Sequence, residues 1–204
     1  LPLSENLDVL KRPVQIGSKT AANAIAIQPM EGCDGTADGR PDALTLRRYD
    51  RFAKSGAGLI WAEAVAVVPE GRANPRQLWI HEENLADFQK FVADIKETCI
   101  RENGFEPIVI MQATHSGRYS KPQAHPHRLS RTITPFSRAT TRFRPTVSCP
   151  MSTCLHWKKS LPRCKLAERA GFDGVDIKCC HRYLNSELLS AYTREAHLAA
   201  AWKT

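Results

Sequence analysis

Lys178, His181 and Tyr183 fall within six positions of one another, in the run Asp176-Ile177-Lys178-Cys179-Cys180-His181-Arg182-Tyr183. An ammonium, an imidazole and a phenol this close together can anchor an oxygen that gains negative charge and deliver a proton beside it. The surrounding stretch, Ala170 to Leu189, supplies a scaffold. Gly171 ends a helix, Phe172 to Ile177 alternates and carries β-branched residues, and Leu184 onward returns to helical spacing. The three polar residues therefore lie just beyond the C-terminal end of a short strand. In parallel α/β folds that end collects ligands and catalytic side chains, because its loops are free to vary while the strands hold them rigidly.

Strand and helix alternate along the rest of the chain. Asn23 to Met30 reads as a first strand, and Thr45 to Ser55 as a helix with Leu46, Tyr49 and Phe52 at helical spacing. Gly58 to Val68 is a second, buried strand. Asn84 to Glu102 places Leu85, Phe88, Phe91, Val92 and Ile95 on one helical face, and Pro107 to Gln112 is a third strand. Lys165 to Ala170 ends a third helix before the fourth strand, Gly174 to Lys178. Repeated βα units predict an α/β fold with a parallel sheet. About four of them make the N-terminal half of a TIM (β/α)8 barrel. The expected organisation is one incomplete barrel over residues 1–204, with an irregular basic segment at 124–163 and an atypical tail at 196–204. A half barrel leaves edge strands unpaired, which favours aggregation or partnering, an oligomer through the exposed barrel edge among the outcomes.

Each strand end carries a polar or glycine-containing group. After the first come Pro29-Met30-Glu31-Gly32-Cys33, after the second Glu63-Ala64, and after the third Gln112 with His115-Ser116-Gly117-Arg118. With Gln28-Pro29-Met30, the run Pro69, Gly71-Arg72 and Pro75, and Gly171-Phe172-Asp173-Gly174-Val175 leading to Tyr183-Leu184, the chain resembles the old yellow enzyme family of flavin oxidoreductases. The resemblance is to its branch with 2,4-dienoyl-CoA reductase-like members, and it covers Asn23 to Lys121 and Lys165 to about Glu195.

That resemblance implies an FMN-dependent reductase. FMN would accept hydride from NADH or NADPH and pass it from N5 to an activated alkene or enone, a small-molecule substrate. The backbone around Pro29, Met30 and Glu31 would line the isoalloxazine, Ala64 would lie close to its edge, and Gln112 would hydrogen-bond its pyrimidine side. Lys178 and His181 occupy the places of the family's substrate-anchoring pair, and Tyr183 that of its proton donor. Arg182 stands where the family usually has glycine, and a positive φ there would add strain. The flavin phosphate would be anchored by later strands, so the chain alone is expected to be impaired.

Simpler readings stand beside these. A glutamine ending a buried strand often only satisfies backbone groups, and His115 reads as a structural histidine. Cys179-Cys180 lacks a C-x-x-C partner and neighbouring strand residues face opposite ways, so no metal is expected. Seven cysteines, irregularly spaced and without a secretory leader, read as free thiols in a cytoplasmic protein. No apolar run is long enough to span a membrane, so no membrane partner is expected.

The net charge of +8 is localised: eight Lys/Arg and no Asp or Glu fall between Ala124 and Cys164, and the rest of the chain holds 21 of each sign. That segment suggests an alternative function, a basic protein binding nucleic acid or an acidic surface. Its lack of interleaved aromatics and of basic-motif spacing argues against nucleic acid. A second explanation is a shifted reading frame. Arg131 to Pro135 can be encoded so that an adjacent frame reads His-His-Asn-Pro, resembling a family loop. Leu198 to Thr204 can be encoded so that a neighbouring frame reads Gly-Gly-Ser-Leu-Glu-Asn, a family motif at its usual distance from Tyr183. Both matches predict a frameshifted, truncated copy of a reductase.

Overall fold

A computed structural model of the chain describes residues 6–124 and 165–189. The basic segment beyond Ala124, the tail and both frame-shift positions lie outside the described residues. Six strands among the described residues form two sheets. An antiparallel hairpin of β1 (Val14–Ile16) and β2 (Lys19–Ala21) stands apart from a parallel sheet of β3 (Ala26–Ile27), β4 (Leu59–Ala66), β5 (Ile108–Thr114) and β6 (Gly174–Ile177), in that spatial order. Sequential parallel strands with intervening helices are the unit of a (β/α)8 barrel, here present as about half of one.

The helices form where an apolar stripe has a sheet to cover. In α1 (Ala43–Lys54) the Asp42 side chain caps the N-terminus by accepting from the Ala43 N–H at 2.7 Å. Its Tyr49 and Ala53 are fully buried. In α2 (Leu85–Asn103), Phe88, Phe91, Val92 and Ile95 are buried, and Gly104, at φ +77°, ends the helix with its N–H on Ile100 O at 2.9 Å. The Tyr49 ring meets Phe91 edge-on at 4.8 Å, joining the two helices over β4 and β5. Residues 165–169 are helical (α3), and α4 spans Leu184–Leu189. No helix among the described residues is long and apolar enough to cross a membrane.

Three differences from the sequence expectation have physical causes. Only Ala26 and Ile27 of the expected first strand join the ladder. On one side Asn23 Oδ1 takes the Gly58 N–H (2.9 Å) and the Ile25 N–H (3.1 Å); on the other Pro29 has no N–H, and Met30 N–H turns back to Gln28 O (2.9 Å). β5 runs past Gln112 to Thr114 because β4 continues beside it to Ala66. The hairpin was not expected at all, although Val14-Gln15-Ile16 and Lys19-Thr20-Ala21 flank a Gly17-Ser18 pair, a two-residue turn signal, with Gly17 at φ +60°. It sits at the N-terminal end of the sheet, where it borders a cleft of about 300 Å³ lined by Trp61, Ile110 and Asp173–Asp176.

Candidate active site at the strand ends

The floor of the opposite, C-terminal end is built around Glu63. The β4/β5 register slips between Ala62 and Ala64, so Glu63 is a bulge residue, a device that re-aims a side chain beside a site. Its N–H donates to Tyr49 Oη at 2.7 Å. Its carboxylate accepts from the Gly32 N–H (2.9 Å) and from Arg48 Nη2 (2.5 Å). Arg48 is also held by both carboxylate oxygens of Asp34, which takes the Thr45 hydroxyl at 2.7 Å as well. A Cβ on Gly32 would run into the Arg48 guanidinium, so glycine lets the loop after β3 close over it. Burial works against ionised Asp34, but the hydrogen bonds from Arg48 and Thr45 outweigh it and hold the carboxyl below its usual range. For Glu63 burial wins, and its carboxyl is pushed up despite Gly32 and Arg48.

Arg72 fixes the neighbouring loops through backbone carbonyls. It is 4% exposed, and its guanidinium donates to the carbonyls of Ala37 (2.6 Å), Pro75 (2.5 Å) and Gln77 (2.7 Å). Gly71 O and Arg72 O in turn accept from the Ser116 and Lys121 N–H groups, both at 2.8 Å, tying this loop to the end of β5. His115 is buried there, with Nδ1 accepting from the Gly117 N–H at 3.1 Å.

The ends of β5 and β6 carry the polar groups that face the mouth. Gln112 and Asp176 are register partners, and Gln112 Nε2 donates to Asp176 Oδ2 at 2.7 Å. Lys178 is buried: its N–H donates to Ala113 O (3.0 Å), its carbonyl takes Asn185 Nδ2 (3.0 Å), and its Nζ stands 5.1 Å from the centroid of the Tyr183 ring. Burial, followed by the charge of Glu31, pushes the Tyr183 phenol pKa up. Leu184 N–H on His115 O (3.2 Å) fastens this loop to β5. His181 and Arg182 both adopt left-handed backbone, at φ +58° and +55°. The glycine that the family resemblance expects at position 182 is the residue this conformation suits, and arginine there stores strain.

From the β3 side come Glu31, whose Oε1 accepts from Asn74 Nδ2 at 3.1 Å, and Cys33, whose Sγ lies 3.5 Å from the same oxygen. Pro29 is half-buried beside them and Met30 projects outward, 72% exposed. Lys178 and Tyr183 thus come together. His181 lies exposed on the rim with its ring 5.9 Å from that of Tyr183. Ala64 is fully buried, with its carbonyl taken by Gln77 Nε2 at 3.0 Å. Asp176, Arg48 and Asn74 were not singled out in the sequence: each matters through a partner distant in the chain. Glu63 was visible as a lone charge in an apolar strand, but its role was not.

The sequence pattern of the NADH:flavin oxidoreductase / NADH oxidase family matches residues 10–196. The chain belongs to this family. Among solved structures, the old yellow enzyme homologue from Zymomonas mobilis superposes with a TM-score of 0.72 at 22% identity, over 92% of this chain and 53% of that one. Morphinone reductase in complex with tetrahydroNAD gives 0.70 at 22% identity, over 92% and 54%. Old Yellow Enzyme from a Pichia species gives 0.76 at 19% identity, over 93% and 50%. At these identities the likeness carries the barrel fold. The chain spans about half the length of these family relatives.

Proposed function

We propose that the chain carries the isoalloxazine-facing half of an FMN-dependent, ene-reductase-like site that uses NADH or NADPH and acts on an activated alkene or enone. The observation that carries this reading is that Gln112, Lys178 and Tyr183 lie at the ends of the adjacent parallel strands β5 and β6. The donor set suits a flavin ring. Gln112 spends one N–H on Asp176 and keeps its amide oxygen for a ring N–H. Pro29 and Met30 offer backbone and an apolar surface.

When bound, FMN supplies the hydride that NADH or NADPH has delivered to it. The Lys178 ammonium and the His181 imidazole bind the carbonyl oxygen of the substrate and stabilise the charge that grows there. Tyr183 gives its phenol proton to the carbon opposite the one that receives hydride. Glu63 and Arg48 hold the loop that carries Glu31.

Flavin titration of the chain tests this. Riboflavin and FMN are expected to bind with the same affinity, since the contacts here are to the ring, and Gln112→Leu weakens both about tenfold, the worth of one buried hydrogen bond. Binding indifferent to Gln112, or no saturable binding, would overturn the reading. The frame-shift explanation of the basic segment is tested separately by the encoding DNA: a family-like sequence in an alternative frame at both places supports it, and its absence at both refutes it.

A further inference from the structure

The Cys180 thiol takes no part in the steps above, yet the crest that carries it is built. The loop after β6 is fastened to β5 at both ends, by Lys178 N–H on Ala113 O (3.0 Å) and Leu184 N–H on His115 O (3.2 Å). Between them Tyr183 N–H closes on Cys180 O at 3.2 Å. The two central residues of that turn, His181 and Arg182, both stand at positive φ, the signature of a type I′ turn. The His181 ring lies with Nδ1 3.8 Å from Cys180 Sγ, and both residues are exposed. A second observation points to a ligand. Lys178 is only 8% exposed, yet among the described residues its Nζ has no carboxylate or hydrogen-bond acceptor; it lies 5.1 Å from the centroid of the Tyr183 ring, which the His181 ring meets at 5.9 Å. A buried cation without an anion on the protein suits an oxygen carried by a ligand.

We propose that Cys180 is a covalent capture site for α,β-unsaturated carbonyl compounds, with His181 taking the thiol proton and Lys178 holding the carbonyl oxygen. The class of ligand rests on the function proposed above, but the chemistry is an addition and needs no flavin. The imidazole Nδ1 takes the proton from sulfur. The sulfur electron pair forms a C–S bond to the β carbon while the C=C π pair moves through the α carbon onto the carbonyl oxygen, where the Lys178 ammonium stabilises it. The imidazolium then returns the proton to the α carbon. S–H has been added across C=C, nothing is oxidised or reduced, and the chain gains the full mass of the ligand. Cys179, its neighbour in the chain, is also exposed, and its thiol has no imidazole partner among the described residues.

The test treats the full 204-residue chain, without flavin, with 2-cyclohexen-1-one at neutral pH and follows the mass of the tryptic peptide that holds positions 179 and 180. Cys179→Ser leaves Cys180 to report, and Cys180→Ser leaves Cys179. Cys180 is expected to react about tenfold faster than Cys179, within the roughly thirtyfold that full ionisation adds to an ordinary free thiol. His181→Gln in the Cys179→Ser chain is expected to remove that advantage. Lys178→Met slows the addition at Cys180 about fivefold, and Lys178→Arg restores it, a response that a purely structural role would not give. Cys99, buried in the core, stays unlabelled while the fold is intact. Equal rates at the two cysteines, or an advantage that survives His181→Gln or Lys178→Met, would overturn the proposal. FMN binding that fails while this addition proceeds would instead overturn the flavin reading alone.

Discussion

Glu63→Leu is expected to destabilise the chain by about 3 kcal/mol, the cost of breaking a buried, hydrogen-bonded pair by removing one partner. Leucine has the volume but no acceptor. The Gly32 N–H loses its partner, and Arg48 loses one of the two carboxylates that hold it. In thermal unfolding this is a fall in Tm of about 6–12 °C for a chain of this size. Glu63→Gln separates acceptor from charge. Burial pushes the Glu63 carboxyl up against the pull of Gly32 and Arg48. The amide oxygen still accepts from Gly32, and the expected loss is about 1 kcal/mol or less. Equal losses in the two variants would show that the ion pair, and not the acceptor, holds the floor of the site.

Asp173→Ala is expected to cost about as much, about 3–5 kcal/mol, at the other end of the sheet. Its side chain is 6% exposed and takes the Val109 N–H (2.8 Å), Lys19 Nζ (2.5 Å) and Lys96 Nζ (3.0 Å). One carboxylate therefore pins the start of β6 to β5, to α2 and to the hairpin. Burial opposes its ionisation, but Lys19, the Val109 N–H and Lys96 outweigh that and hold its pKa below the usual range. A carboxyl lowered on folding contributes stability above its unfolded pKa of about 3.9 and loses it as pH falls through the folded value. Wild-type stability should therefore drop on acidification below about pH 4, and Asp173→Asn should flatten that limb. An unchanged acid limb in the asparagine variant would place the linkage elsewhere.

The elements that were legible in the sequence are those whose signal is local. β4 and β5 show as apolar runs between polar or glycine residues, as strands buried on both faces do. α2 shows as five apolar residues at helical spacing, closed by Gly104. The Tyr183 loop was legible because strand, polar group and helix start follow within twenty residues. What was not legible depends on residues far apart in the chain. The register slip that turns Glu63 inward exists only in the pairing of β4 with β5, and Lys19 meets Asp173 across 154 positions. Asn74 reaches Glu31 from 43 positions away. Arg72 belongs to a recognisable motif, yet its partners are carbonyls, which any residue type supplies.

The most direct measurement of the flavin site is an amide NMR titration of the full chain with FMN. Shifts are expected to cluster in residues 29–33, at Gln112 to Ser116 and in residues 178–183, the three loops that meet at the C-terminal strand ends. Shifts centred on the hairpin and the cleft beside Trp61 and Asp173, or none at saturating FMN, would contradict a flavin site at the mouth of this half barrel.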